Sequence, residues 1–544
     1  MHRPNSRFAR ACGLTICAAI GGAACSLIVG GEDRRVASED ASVRDAGSDV
    51  GAAPSEEPSA DGTQTVGPDV ADVLLVESAA EASAVAGDAG PEAGADATMT
   101  GADANDADVV MADAAPEAAA PSDALADVAA DGGTTSPAAG SLDPLFGDGG
   151  IAITSFGGDA VVNALAIDRQ GNVVAAGNSS ANGMGARVQA TVARYTPDGL
   201  LDTTFGGNGL ASTAIGTSSS SANAVAVGPG GILIAGPASS NSIDSGRVHI
   251  GLARFTNAGA SDSTFGTAGS TIAVNAPGYP ETPYALTQLA DGRCVVAAAA
   301  QDSAGQYAEV ARFTPAGAID TTCNGPYGFQ LQYDAPAAET PYGMVATDVE
   351  AGTVVHVGSA ANKGAGGAAY AMRSGSDCTL DPTFDGVFDF SSGPDSARAV
   401  ALSGSAYVLA GVANAGPSSD VFLARLTASG SLDPSFAPDG GFVTTDVDGG
   451  QDDGRAVAVD GRGRIVVAGA NASPGGAASQ IVVVRYTPSG SLDAAFGTGG
   501  VVVVQLGSPS AANALALQAD GKIVVGGYAT ASKHKVFALV RLNP

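Results

Sequence analysis

Tryptophan is absent from this 544-residue chain, and histidine occurs only 4 times. His2, His249, His356 and His534 hold unrelated positions, and no His-x-x-x-His, Cys-x-x-Cys or Gly-x-Ser-x-Gly element is present. A zinc enzyme, a serine hydrolase with a nucleophile elbow and a dinucleotide enzyme therefore lack their usual signatures. The missing tryptophan also removes a favoured platform for stacking against sugars. Positive charge is scarce: 25 Lys and Arg stand against 56 Asp and Glu, for a net −31. Proteins bind nucleic acid and anionic lipid by neutralising phosphate with Lys and Arg, so neither is an expected partner. No apolar run reaches the roughly 20 residues of a membrane-spanning helix.

The longest such run is N-terminal. Arg3, Arg7 and Arg10 precede an apolar stretch from Gly13 to Ile20, followed by small residues from Gly21 to Ala24 and then Cys25. That order is the layout of a secretory signal peptide, expected over residues 1–24. Small residues directly before Cys25 look like a bacterial lipobox, with Gly22 where Leu is usual. Lipidation at Cys25 is expected, and cleavage by an ordinary signal peptidase is the alternative. The chain is accordingly expected at the outer membrane, periplasm or cell surface as a lipoprotein, or secreted.

Residues 25–140 read as a linker. Between 26 and 140 there are 24 acidic and 3 basic residues among Ala, Gly, Pro and Ser, a local charge of −21. Such a composition cannot bury enough apolar surface to offset chain entropy, which predicts disorder. A coil of roughly 115 residues reaches about 60 Å root-mean-square, enough to hold a folded domain away from a membrane.

From residue 141 the sequence repeats. Arg194, Arg254, Arg312, Arg373, Arg425, Arg485 and Arg541 follow one another at gaps of 60, 58, 61, 52, 60 and 56 residues. Each is followed by a turn, as in Tyr195-Thr196-Pro197-Asp198-Gly199, and then by an Asp-x-x-Phe element. The aspartates are Asp143, Asp202, Asp262, Asp320, Asp381, Asp433 and Asp493. The phenylalanines are Phe146, Phe205, Phe265, Phe384, Phe436 and Phe496, and Cys323 stands in the remaining place. Three more short runs complete each repeat, such as Val501–Val504, Ala514–Leu517 and Ile523–Gly527. Short β-branched runs bounded by Gly, Asp and Asn are strands, and an Asp-Gly between two of them signals a hairpin. Four strands recurring seven times predict an all-β fold, a seven-bladed β-propeller of four-stranded blades over 141–544. Ser141–Phe146 is expected to dock beside the last strand and close the ring.

The strings Arg485–Gly497 and Ala514–Gly527 resemble the bacterial delta-60 repeat family. The resemblance spans essentially all of 141–544 and is clearest in the first two and last two repeats. It departs at Arg373-Ser374-Gly375 and at Ser403-Gly404-Ser405, where turn shapes differ. It implies propeller-like repeats in an exported protein and no shared enzymatic activity.

Candidate chemistry is sparse. The seven Arg and seven Asp lie eight residues apart across a turn, as structural ion pairs would. Asp446, Asp448 and Asp452 form the densest acidic loop, a pattern able to wrap Ca²⁺ and equally a solvated loop. Cys294 lies in an apolar run as a buried thiol, while Cys323 and Cys378 fall in neighbouring connecting loops, so a disulfide between them is expected in an exported protein. Asn163, Asn223, Tyr284, Tyr342, Arg398, Arg455 and Asn513 share one repeat position, at gaps of 60, 61, 58, 56, 57 and 58. This varying polar ring is the candidate ligand site, with strand-entry hydrogen bonding as the alternative. The leading functional reading is a binding or interaction module for a protein, small molecule or glycan. A carbohydrate-active or other hydrolytic or lyase enzyme using carboxylates on one face, and a purely structural surface protein, are the alternatives.

Overall fold

Within 137–544, the computed structural model describes residues 137–180, 187–217, 219–239, 247–273, 280–301, 306–323, 329–332, 338–348, 352–361, 367–414, 418–438, 440–472 and 479–544. The signal peptide, Cys25 and nearly all of the linker lie outside them.

The described residues form 28 strands and no helix. Strands pair in groups of four, each an antiparallel meander such as Ala160–Ile167, Val173–Ser180, Val188–Tyr195 and Leu210–Thr213. Two groups share a sheet through a single parallel pair, Ser419 with Gln451. The hairpins follow from turn chemistry. Asp168 Oδ1 accepts from the backbone N–H groups of Gln170 and Asn172, and Gly171 takes a φ of 84° that a side chain would resist.

The first strand of every group is innermost. Ala160–Ile167, Ala224–Gly228, Glu281–Gln288, Ala338–Asp348, Ser396–Ser403, Gln451–Val459 and Ala511–Leu517 each touch the next, and the last touches the first. The other strands stack outward from them. Apolar side chains fill the space between neighbouring groups: Val174, Val192 and Phe205 meet Ile232, Ile234 and Phe255 of the following repeat. Burying one such side chain is worth about 1.5–3 kcal/mol, so cohesion resides between the sheets.

One group is built from both ends of the repeat region. Ile151–Thr154 pairs antiparallel with His534–Leu542, matching Ile151 to Val540 and Thr154 to Phe537. Just before it, the Gly140 and Asp143 N–H groups donate to the carbonyls of Asn543 and Arg541. Phe146 then packs with Val173, Tyr195, Phe537 and Leu539, joining first and last repeats in one core. Gly199 is obligatory here, because a Cβ would lie 2.8 Å from the Phe146 ring.

Candidate functional site

In six inner strands the hydrogen-bond register skips one residue. The skipped residues are Asn163, Tyr284, Tyr342, Arg398, Arg455 and Asn513. The seventh member, Asn223, immediately precedes its strand. A β-bulge removes a residue from the ladder and re-aims its side chain. Glycine across the sheet makes room for it: a Cβ on Gly177, Gly411, Gly469 or Gly527 would fall 1.9, 1.9, 1.8 or 1.9 Å from a carbonyl oxygen beside the bulge. The sequence contains this signal, the glycine of the third run, but periodicity alone does not reveal what it accommodates.

The ring residues form two unlike arcs. Asn513, Asn163 and Asn223 donate Nδ2 to the Val162, Ala222 and Pro283 carbonyls at 2.9, 3.0 and 2.9 Å, each bolting its strand to the next. The other arc carries aromatic and charged groups. Tyr284 meets Tyr342 edge-to-face at 5.5 Å, and the Arg398 guanidinium lies 4.6 Å over the Tyr342 ring. Arg455 donates Nε to Asp453 and Nη1 to Asn513 Oδ1, both at 2.8 Å. Arg398 stands 3.7 Å from the other Asp453 oxygen. Burial, together with the neighbouring Tyr342 hydroxyl, pushes the Tyr284 hydroxyl above its ordinary range. Among the described residues, Asp453 is the one carboxylate paired to a ring member, and it lies between two arginines.

The repeated arginines are structural. Nε of Arg194, Arg254, Arg312, Arg425, Arg485 and Arg541 lies 2.8, 2.6, 2.7, 2.8, 2.8 and 2.8 Å from Asp202, Asp262, Asp320, Asp433, Asp493 and Asp143, and Arg373 pairs with Asp381 in the same way. In six repeats the guanidinium stacks on the Phe ring. Where Phe is missing, Cys323 is buried and bonded to Cys378, with Cα atoms 5.1 Å apart. Nη1 of Arg194, Arg254, Arg312, Arg373, Arg425 and Arg541 donates to a turn carbonyl of the next repeat, so each pair also staples neighbours together. Hydrogen bonds from Thr383, then from Arg373, hold the Asp381 carboxyl down at about 2.

The acidic loop is reorganised relative to expectation. Asp446 and Asp452 converge with Asp420 from the neighbouring strand, their nearest oxygens all within 4.8 Å of one another. Asp448 is exposed at a φ of 64° and lies outside this cluster. Asp452 is fully buried and closes its own loop, accepting from the Val447 N–H at 2.6 Å and Asn471 Nδ2 at 2.9 Å. Burial, with Asp446 and Asp420 nearby, pushes its carboxyl up to about 6 despite those bonds. At the equivalent place three repeats earlier, His249 Nδ1 faces Glu281 at 3.2 Å. Burial and the adjacent Glu281 push Glu309 well up. Cys294 is a free thiol, and burial raises it to about 12, leaving it unreactive.

Two clefts open away from the ring. One of about 550 Å³ is lined by Ile151–Thr154, Tyr195 and Leu200, the other of about 600 Å³ by Asp168, Arg169, Arg194 and Asp202. The ring side chains are partly exposed.

Four stretches, 171–205, 407–436, 463–496 and 518–544, match the family described as a domain of unknown function (DUF5122) beta-propeller. The fold is a β-propeller. No curated protein matches the sequence. Among solved structures, this propeller is similar to polysaccharide lyase Uly1 at 12% identity and a TM-score of 0.40, covering 70% of this chain and 90% of that one. It is also similar to the β-propeller domain of the Trilobed protease from Pyrococcus furiosus, described as having an open velcro topology, at 8% identity and a TM-score of 0.38, covering 71% and 94%. Sqt1 from Chaetomium thermophilum, bound to the N-terminus of ribosomal protein L10, gives 12% identity and a TM-score of 0.37, covering 72% and 99%. Likenesses this distant assign no residue a role.

Proposed function

We propose that the repeats close as seven blades and that the propeller is a non-enzymatic binding module. It is exported, tethered through a lipidated Cys25 and the acidic linker, and presents its ring arc to a glycan, peptide or small molecule of the cell envelope. The observation behind this is the asymmetry of the ring. Three Asn members serve the scaffold, whereas Tyr284, Tyr342, Arg398 and Arg455 occupy the same bulged position with chemistry the scaffold does not need. A hydrolase or lyase is less supported, because general acid–base work on a glycosidic bond uses two carboxylates of unlike protonation. Asp453 is a single carboxylate between two arginines.

The test uses the full exported chain and a panel of envelope glycan fragments and short peptides. At least one should bind, and the Tyr284→Ser/Tyr342→Ser variant should lose it while keeping its melting temperature. Undiminished binding by that variant moves the site elsewhere, and a panel that never binds removes the module. For the anchor, radioactive palmitate should label the wild type and not Cys25→Ser; equal labelling refutes it.

The acidic cluster supports a second reading. Ca²⁺ held by Asp420, Asp446 and Asp452 would neutralise carboxylates that otherwise repel. Added CaCl₂ at neutral pH should then raise the melting temperature of the wild type but not of Asp452→Asn; no rise in either leaves a purely structural loop.

A further inference from the structure

Arg398 is the ring residue with unused capacity. Arg455, one repeat later, donates to Asp453 and Asn513, and six of the seven ladder arginines are held by both an aspartate and a turn carbonyl. Arg398 donates no hydrogen bond to any described residue. Its nearest carboxylate oxygen is 3.7 Å away, beyond hydrogen-bonding distance, and its Nε has no partner. A guanidinium carries five N–H donors in a planar fork, and the exposed ones on Arg398 face solvent with no protein acceptor among the described residues. The side chain is also reachable, at 26% relative exposure.

Charge around it points the same way. Arg398 and Arg455 face one Asp453, a surplus of one positive charge, on a repeat region whose net charge is −13. A local positive spot on an acidic protein focuses its field on one anionic group, while the surrounding acidity disfavours multiply charged ligands. The planar fork of arginine matches a carboxylate bidentately. Beside it, Tyr284 and Tyr342 are half-buried and meet edge-to-face. They supply an apolar, flat-sided contact whose geometry is already set. The bulges hold all these groups at one level, so the arc needs no rearrangement to receive a ligand.

We infer that the Tyr284–Tyr342–Arg398 arc selects ligands carrying a single carboxylate next to a flat apolar face, with the carboxylate on Arg398 and the flat face against the tyrosines. This rests on the binding-module reading and narrows its ligand class. Benzoate and benzamide are suitable probes, because they share a shape and differ in charge. Calorimetric titration of the full chain should give a benzoate affinity at least roughly ten-fold tighter than that of benzamide, the scale of one charge-assisted hydrogen bond. Arg398→Met, which retains much of the side-chain volume, should erase the preference. Arg462→Met, at an exposed turn remote from the ring, should retain it. Equal affinity for the two probes overturns the carboxylate preference and leaves the module reading standing. A preference that survives in Arg398→Met overturns the assignment to this residue. Failure of both probes overturns the inference as well, and the glycan and peptide panel then decides the module reading independently.

Discussion

An arginine whose three nitrogens are each hydrogen-bonded behaves as a clamp, and Arg425 is one. Its Nε holds Asp433, Nη1 the Pro488 carbonyl and Nη2 Ser435, while its face covers Phe436. Arg425→Gln should cost about 2 kcal/mol in urea unfolding, because Asp433 and the turn carbonyl lose their donor together. Binding at the ring should be unchanged. The Arg–Asp pairing was readable from the constant eight-residue spacing. The Asp420 contact with Asp446 and Asp452 was not, because strand pairing alone brings Asp420 to that loop. The same pairing displaces Asp448, whose left-handed backbone turns it outward. Asp452 also has a pH signature. Its folded pKa of about 6 lies above the unfolded value near 3.8, so the native state binds the extra proton. Stability should therefore rise as pH falls from about 7 to about 4, by on the order of 2 kcal/mol from this group, with buried Glu309 adding in the same direction. Asp320 and Asp381, both held near 2, oppose this below about pH 4, where stability declines. Asp452→Asn should lose a measurable part of the upward slope in denaturant titrations across pH, and an unchanged slope would exclude the assignment.

At the level of the strand, a bulge and a glycine act as one unit. Gly469 permits the Asp453 carbonyl to approach, and that approach allows Arg455 to leave the ladder. Gly469→Ala should cost at least about 2 kcal/mol, since the obstacle is backbone rather than a flexible side chain. It should also disturb ring binding, whereas Gly404→Ala, at an open turn with no neighbour within 4 Å, should leave binding intact. Strands, hairpins and the shared ring position were legible because each leaves a period in the sequence. The bulge was not, because alternation reports which face is buried and says nothing of a residue omitted from the pairing.

Across the whole molecule, cohesion comes from neighbours stapled in series, and Cys323–Cys378 replaces one aromatic staple with a covalent one. It closes a loop of 55 residues, for which chain entropy sets a stabilisation of at most about 4 kcal/mol. Cys323→Ser/Cys378→Ser should lower the urea midpoint, and reducing agent should reproduce the loss in the wild type; no change in either would make the bond dispensable. The docking of Ser141–Phe146 beside the last strand could be anticipated because Ser141–Phe146 and Arg541–Pro544 match successive parts of one repeat. Which side chains the axis would gather could not, since that depends on how far each blade turns from the last.

The group that unites the ends of the repeat region also governs when folding can finish. Ser141 and Asn543 are bonded across 402 positions of sequence. Contacts this distant form late, after the local hairpins exist. A partly emerged chain can thus complete its intermediate sheets one by one, but Ile151–Thr154 has no sheet to join until His534–Leu542 is available. Completion of the fold therefore depends on one pairing, that of Ile151–Thr154 with His534–Leu542.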